Sequence, residues 1–268
     1  QIFHTIGNHD YDYKATSDEE AGSRFMDYIA PTYYSFNIGK VHYVVLDDID
    51  CSNYDGTTSR DYEKRVSAEQ LSWLSKDLAY VDKSTPLVVV MHAQLFYPSQ
   101  TEGFKIDHDV LNTTLLDVLD GYKVHFVTGH THLSFNVTPE DDVTGGREVY
   151  EHNAGAICAS WWWSGYLTPG VHISPDGTPG GYSVWDVNGT DIEWIYKATG
   201  WTEDYQFRSY DLNNVHFSMA DVPQMPAGVP ASVKAKFQRY VDAYPVNKDN
   251  EVLINIWNWN PRWTLTVT

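Results

Sequence analysis

Three runs of β-forming residues in this chain each break off at a histidine, and few folds accommodate that arrangement three times over. Gln1-Ile2-Phe3-His4-Thr5-Ile6 stops at Gly7 and hands over to Asn8-His9-Asp10. Pro86-Leu87-Val88-Val89-Val90-Met91 runs into His92-Ala93-Gln94, and Lys123-Val124-His125-Phe126-Val127-Thr128 runs into Gly129-His130-Thr131-His132. In open α/β sheets, chemistry collects in the crevice beyond the carboxyl ends of the strands, where a glycine lets the backbone turn and polar side chains converge. Three strands are therefore expected to deliver histidine to one rim. Each piece alone has a plainer reading: Asn-His-Asp after a glycine is ordinary turn chemistry, and His-x-His occurs by chance on surfaces. The weight lies in the ordered combination.

Between these runs the hydrophobic period changes. Ser17-Asp18-Glu19-Glu20 has the form of a capping box and opens a helix to about Ile29. Tyr33 to Ile38 and Val41 to Leu46 alternate as a hairpin around Gly39-Lys40, and Asp47-Asp48 reads as its solvated strand end. Asp50 to Tyr62 is polar and reads as a surface loop. Ser67-Ala68-Glu69-Gln70 is a second capping box, followed by Leu71, Trp73, Leu74 and Leu78 near helical spacing. Tyr97 to His108 reads as a loop and Val110 to Leu119 as a further helical segment. Helix alternating with strand predicts an α/β class.

Beyond His132 the chain turns to strands and glycine-rich turns. Ser134 to Thr138 and Arg147 to Glu151 read as β, and Tyr182 to Val187 with Ile192 to Tyr196 as a hairpin about Asn188-Gly189. These would form the second sheet of a sandwiched core. Trp161-Trp162-Trp163 cannot all face one core, because neighbours on a strand point opposite ways, so at least one is expected at solvent or ligand. Residues 1–198 are expected to form one domain and 199–268 a smaller β-rich one, with strands at Tyr205 to Leu212, Glu251 to Ile256 and Trp263 to Val267, and a helical patch near Val233 to Tyr240.

Composition excludes some partners. With 36 acidic against 18 basic residues, a net charge of -18 repels nucleic acid, so an anionic substrate must be won locally. No run reaches the roughly 18 apolar residues that would span a membrane. Cys51 and Cys158 read as packed or loop thiols, with a single disulfide as the other reading. Ten Trp and nineteen Tyr with few lysines fit an exported protein, periplasmic or at the cell surface. Nothing in the sequence fixes oligomeric state.

The motifs Gly7 to Asp10, His92 and Gly129 to His132 together resemble the calcineurin-like metallophosphoesterases, whose ordered signatures are Gly-Asn-His-Asp/Glu, a lone His after a hydrophobic strand, and Gly-His-x-His. The Trp-rich segment followed by Asp176-Gly177-Thr178-Pro179-Gly180-Gly181-Tyr182 resembles a bacterial subgroup with an extra C-terminal β domain. The resemblance implies a four-layer αββα sandwich and a hydrolase of phosphomonoesters or phosphodiesters. Two divalent ions, Zn, Fe or Mn, would activate a hydroxide for in-line attack. By the same resemblance Asn8, His92 and His130 bind one ion and His132 the other. His9 acts as general acid, and Asp10 orients it. By the same resemblance Trp161, Trp162 and Trp163 border the substrate cleft, a loop clamped over the sheet edge being the other reading; His152 and Asn153 would support the site through hydrogen bonds, a structural histidine being the plainer reading of His152.

One departure stands beside the match. The family's Asp-x-His and Gly-Asp-x-x-Asp precede Gly-Asn-His-Asp, and only six residues precede Gly7 here. The expectation is a chain that lacks the first strands of its sheet, is cut at its C-terminal side as well, holds at most a partial metal site and does not turn over. The rival expectation is a non-catalytic module that binds a glycan through Trp-rich surfaces.

Overall fold

The computed structural model describes residues 2–52, 57, 62–99, 103–106, 113–156, 174, 176–216, 218–221, 228–242 and 246–268. Helix α1 (Asp18–Tyr28) starts at Ser17, whose Oγ accepts the Glu20 N–H at 3.2 Å. Strands β1 (Tyr34–Ile38) and β2 (Val41–Val45) pair across a turn in which Gly39 takes φ +60°, a conformation glycine adopts without steric cost. Two short strands, β3 (Ile49–Asp50) and β4 (Glu63–Lys64), pair next. Helix α2 (Ala68–Leu78) begins at Ser67 in the same manner as α1 and buries Leu71, Leu74 and Leu78.

The chain continues through β5 (Leu87–Val90), β6 (Phe96–Pro98), β7 (Phe104–Ile106), α3 (Thr113–Val118), β8 (Val124–Thr128), β9 (Phe135–Val137) and β10 (Val149–Asn153). Strands β11 (Gly181–Asn188) and β12 (Asp191–Ala198) form a long hairpin. Strand β13 (Phe207–Asp211) pairs with β14 (Val252–Ile256), and α4 (Ala231–Asp242) lies between them in sequence.

The central sheet has six strands in the order β1-β2-β5-β8-β10-β9. Its four inner strands are parallel and its two edges antiparallel. Parallel neighbours need long crossovers, which α2 and α3 supply. One face packs Val44, Leu87, Val89, Val124, Phe126 and Val149 against the leucines of α2 and α3. The other packs Val41 and Val88 against Ile192 of the β11–β12 hairpin. Helix layer, sheet and second β layer thus follow one another, as the α/β sandwich reading requires, and the C-terminal region is rich in β structure. Each fully buried leucine contributes about 2 kcal/mol.

Five local expectations are corrected. Strands β9 and β10 lie in the central sheet and not in a second one, because β10 pairs parallel with β8 and β9 pairs on its far side. Residues 2–6 enter no sheet among the described residues. The Tyr34 hydroxyl takes the His4 N–H at 3.1 Å and donates to its carbonyl at 2.8 Å, so a side chain replaces the ladder there. The segment following His92 is not all loop, since β6 and β7 pair within it. Residues 263–267 are not a strand. Asp47 and Asp48 are buried, not solvated.

Candidate metal centre

Because β2, β5, β8 and β10 run parallel in register, their carboxyl ends open onto one edge. His92 follows β5 by two residues, His130 follows β8 by two, and Asn8 arrives from the segment before α1. His92 Nε2 lies 2.7 Å from Asn8 Oδ1 and 3.1 Å from His130 Nδ1. Polar atoms of Asn8 and His130, from two separate segments, therefore both converge on His92 Nε2 from a third. Burial pushes the His92 imidazole down to about 4, with the neighbouring His130, His9 and His132 adding to the effect. His92 is thus neutral at pH 7, the form that ligates metal.

Backbone geometry holds these groups in place. The Gly7 N–H donates to Asp10 Oδ2 and the Asp10 N–H to the Gly7 carbonyl, both at 2.9 Å, which closes the turn presenting Asn8 and His9. A Cβ at Gly7 would come within 2.7 Å of His92 Nδ1, so only glycine lets the two segments approach this closely. His130 and His132 both adopt left-handed backbone, at φ 63° and 60°. Such strain costs on the order of 1 kcal/mol per residue and persists where surrounding bonds enforce it. Asn153 supplies them: its Nδ2 donates to the Gly129 carbonyl and to Thr128 Oγ1, and its Oδ1 accepts from Thr131 Oγ1 at 2.6 Å.

Two buried carboxylates complete the frame, and sequence reasoning missed the role of both. Asp48 accepts the N–H groups of His92 and Ala93 at 3.0 and 2.8 Å. Burial drives its carboxyl up to about 8, against those two bonds. Glu151 accepts Leu95 N–H, Phe96 N–H and the Thr128 hydroxyl, tying the segment after His92 to the end of β8. The available signal was an acid in the middle of the strand run Val149 to Asn153, and a doubled acid closing β2. Asp47 plays a parallel part, taking the Tyr11 hydroxyl at 2.6 Å while its backbone pairs with the Gln70 side chain.

The structure brings together Asn8, His92 and His130, with His9 and His132 near enough to act electrostatically on His92. His9 and Asp10 are exposed and line a cavity of about 570 Å³ beside α1. Asn153 lies at the rim but is buried and braces the Gly129 to Thr131 turn. His152 faces the opposite side of β10, buried beneath Trp185 and Trp194. That is a core position on the face away from Asn153. Trp161, Trp162, Trp163 and Cys158 lie outside the described residues.

The donor chemistry fits one divalent ion on Asn8 Oδ1, His92 Nε2 and His130 Nδ1, an amide and two imidazoles, with His132 on the same turn. Among the described residues, no three His, Cys, Asp or Glu side chains gather as a metal cluster. The carboxylate abutting His92, that of Asp48, has both oxygens on backbone N–H groups.

Against known proteins, residues 1–134 match the family model of the calcineurin-like phosphoesterases, and residues 151–268 match the model of the C-terminal part of calcineurin-like phosphoesterase. The chain is 33% identical over 136 residues to purple acid phosphatase 15 of Arabidopsis thaliana, covering 47% of this chain and 23% of that protein. It is 32% identical over 114 residues to purple acid phosphatase 13 of the same plant, covering 42% and 18%. The chain thus spans less than a quarter of the length of these curated relatives. The solved structure of PhoD is similar with a TM-score of 0.32 at 15% identity, over 47% of this chain and 29% of that one.

Proposed function

This chain belongs to the calcineurin-like phosphoesterase family, and from that premise we propose that the whole protein hydrolyses phosphomonoesters or phosphodiesters at a centre built for two divalent metal ions. The observation that carries the proposal is the convergence of Asn8 Oδ1 and His130 Nδ1 on His92 Nε2. Asn8, His92 and His130 would hold one ion, and His132 would contribute to the second. Bound there, the ions supply Lewis-acid stabilisation of the phosphoryl oxygens and acidify water.

The chain's own residues do the rest. In the reaction, water oxygen bonds to phosphorus, the ester P–O bond breaks, and the leaving oxygen takes a proton. His9, exposed on the turn beside Asn8, is the residue positioned to give that proton. Asp10 fixes the turn through the Gly7 N–H, and so fixes where His9 stands. Asp48 and Glu151 hold the backbone after His92 so that its ring does not follow thermal motion of the loop. Amide and imidazole ligands leave the charge of two ions unbalanced, so carboxylates from further segments of the whole protein would complete the centre. The aromatic, lysine-poor composition supports an exported setting. The rival glycan-binding reading loses Trp257, which is buried at 1% exposure against Tyr205.

The test is metal content together with hydrolysis of 4-nitrophenyl phosphate and bis(4-nitrophenyl) phosphate. Both are measured on this chain and on the whole protein. About two ions per chain and turnover are expected in the whole protein, and fewer ions in this chain. A whole protein that neither binds metal nor cleaves either ester would overturn the proposal.

A further inference from the structure

The cavity beside His9 is a second feature of the site, and the family signatures say nothing of it. It is lined by His9, Asp10, Asp12, Arg24, Tyr28 and Ile29, with Tyr11 and Phe25 at its back. His9 thus lines this cavity and is the chain neighbour of Asn8, whose Oδ1 contacts His92. Arg24 and Tyr28 are four residues apart on α1 and share a helix face. Tyr28 is 82% exposed and Ile29 52%, so an aromatic and an aliphatic surface stand uncovered at the mouth.

The charges lining the cavity are not equivalent. Asp10 has an oxygen on the Gly7 N–H and Asp12 one on the Lys14 N–H, so both acids serve their own turns. Arg24 has neither hydrogen bond nor ion pair among the described residues, although the chain carries twice as many acids as bases. Arg24 is exposed and lines the same cavity as His9, and an unpaired guanidinium there presents a planar fork suited to a carboxylate.

We propose that this cavity receives the leaving alcohol of the phosphoester and that Arg24 selects alcohols carrying a carboxylate, with Tyr28 and Ile29 covering the organic body. The inference rests on the phosphoesterase reading above, since it is the proton donated by His9 that puts the leaving oxygen on this side.

The test compares phenyl phosphate with 4-carboxyphenyl phosphate in the metal-loaded whole protein, as the ratio of their kcat/KM values. Arg24→Ala should lower that ratio about tenfold relative to wild type, and Arg24→Lys should lower it less, because an ammonium keeps charge but loses the fork. Equilibrium titration with phenylphosphonate and 4-carboxyphenylphosphonate, which cannot be hydrolysed, reads the same preference without turnover. Equal losses on both substrates, or a ratio unmoved by Arg24→Ala, would overturn the inference. If neither ester is cleaved yet the carboxylated phosphonate binds more tightly and loses that advantage in Arg24→Ala, the phosphoesterase reading fails while the Arg24 subsite stands. If Arg24→Ala melts well below wild type, Arg24→Gln replaces it, and the same ratio decides.

Discussion

Among the described residues two histidine pairs stand close together, one within β8 and its neighbour β10 and one just past the ends of β5 and β8. At the rim, His92 Nε2 and His130 Nδ1 are 3.1 Å apart. In the interior, His125 Nδ1 and His152 Nε2 are 3.2 Å apart, on β8 and β10. Burial lowers the basicity of His92 to about 4 and of His152 to about 3, and holds His125 well below the ordinary imidazole value. A contact distance and a depressed pKa would not tell them apart. The difference lies in the third partner and in the backbone. The rim pair is joined by Asn8 Oδ1 and stands on left-handed backbone at His130, just past the strand end. The interior pair sits within regular strands, its rings nearly parallel at 9° and its edges against Trp185 and Trp194. His125 Nε2 and His152 Nδ1 find no hydrogen-bond partner there. A ligand set therefore needs convergence from separate segments, which irregular backbone past the strands provides.

The sharpest way to break this contrast is to remove one ring from each pair. In the metal-loaded whole protein, His92→Ala or His130→Ala is expected to lower kcat/KM for 4-nitrophenyl phosphate by about a thousandfold, roughly 4 kcal/mol of transition-state stabilisation. His152→Phe should leave it within a few-fold. Comparable losses from both pairs would mean that the interior pair also reaches the chemistry.

The interior pair should instead dominate the acid limb of stability. His125 and His152 are buried neutral and in the unfolded chain titrate near 6.5, so the native state binds fewer protons below that pH. Their contribution is present above pH 6.5 and is lost as pH falls toward the folded values. The groups facing them are Tyr150, Trp185 and Trp194, with Lys123 and Arg262 as nearby cations that add to the cost of protonation. Between pH 6.5 and 5 the pair should account for about 2–4 kcal/mol of lost stability. Urea unfolding of wild type and of the His125→Phe, His152→Phe double variant at the two pH values measures this. An undiminished acid loss in the variant would place the sensitivity elsewhere, at His92 first.

Much of this contrast was legible in the sequence. The helix starts at Ser17 and Ser67 and the glycine turn at Gly39 depend on residues close together in the chain, and they stand where capping and turn chemistry put them. The hairpin of β11 and β12 turns on Gly189 and Thr190, one residue later than the Asn-Gly signal suggested. What stayed hidden depends on neighbours distant in sequence. Asp48 reads as a solvated strand end until β2 is known to lie beside β5, whose continuation supplies the two N–H groups that bury it. Glu151 is in the same position relative to Leu95 and Phe96. The β-like opening run pairs with nothing among the described residues, because β propensity does not name a partner strand. His152, for which a structural histidine is the plainer reading, is one, and strand alternation sends it and Asn153 to opposite faces.

The close approach at Gly7 gives a subtler break. With Gly7→Ala, the new Cβ would meet His92 Nδ1 at 2.7 Å, so the ring must move away from Asn8 and His130. Misplacing one ligand by a few tenths of an ångström should weaken metal affinity by about 10–100-fold while leaving the interior pair untouched. Competition titration with a chelating dye would measure the first. An unaltered acid limb in urea would check the second, and equal affinity in Gly7→Ala would show that His92 has room to spare.

The smallest effect should come from the brace on the strained turn. Thr131 Oγ1 donates to Asn153 Oδ1 and accepts the Leu133 N–H at 3.1 Å, linking the two histidines in left-handed backbone to a residue fixed inside the sheet. Thr131→Val keeps the shape and β-branching of the side chain and removes only the hydroxyl. About 1 kcal/mol of stability should be lost, because Asn153 retains its bonds to Gly129 and Thr128. Metal affinity should fall only a few-fold, since the turn relaxes without releasing either ligand. The interior pair has no such brace because regular strand backbone stores no strain that would need one. A Thr131→Val variant whose stability falls while its metal affinity is unchanged would show that the turn keeps its shape without the hydroxyl, and that the left-handed histidines are held by the sheet alone.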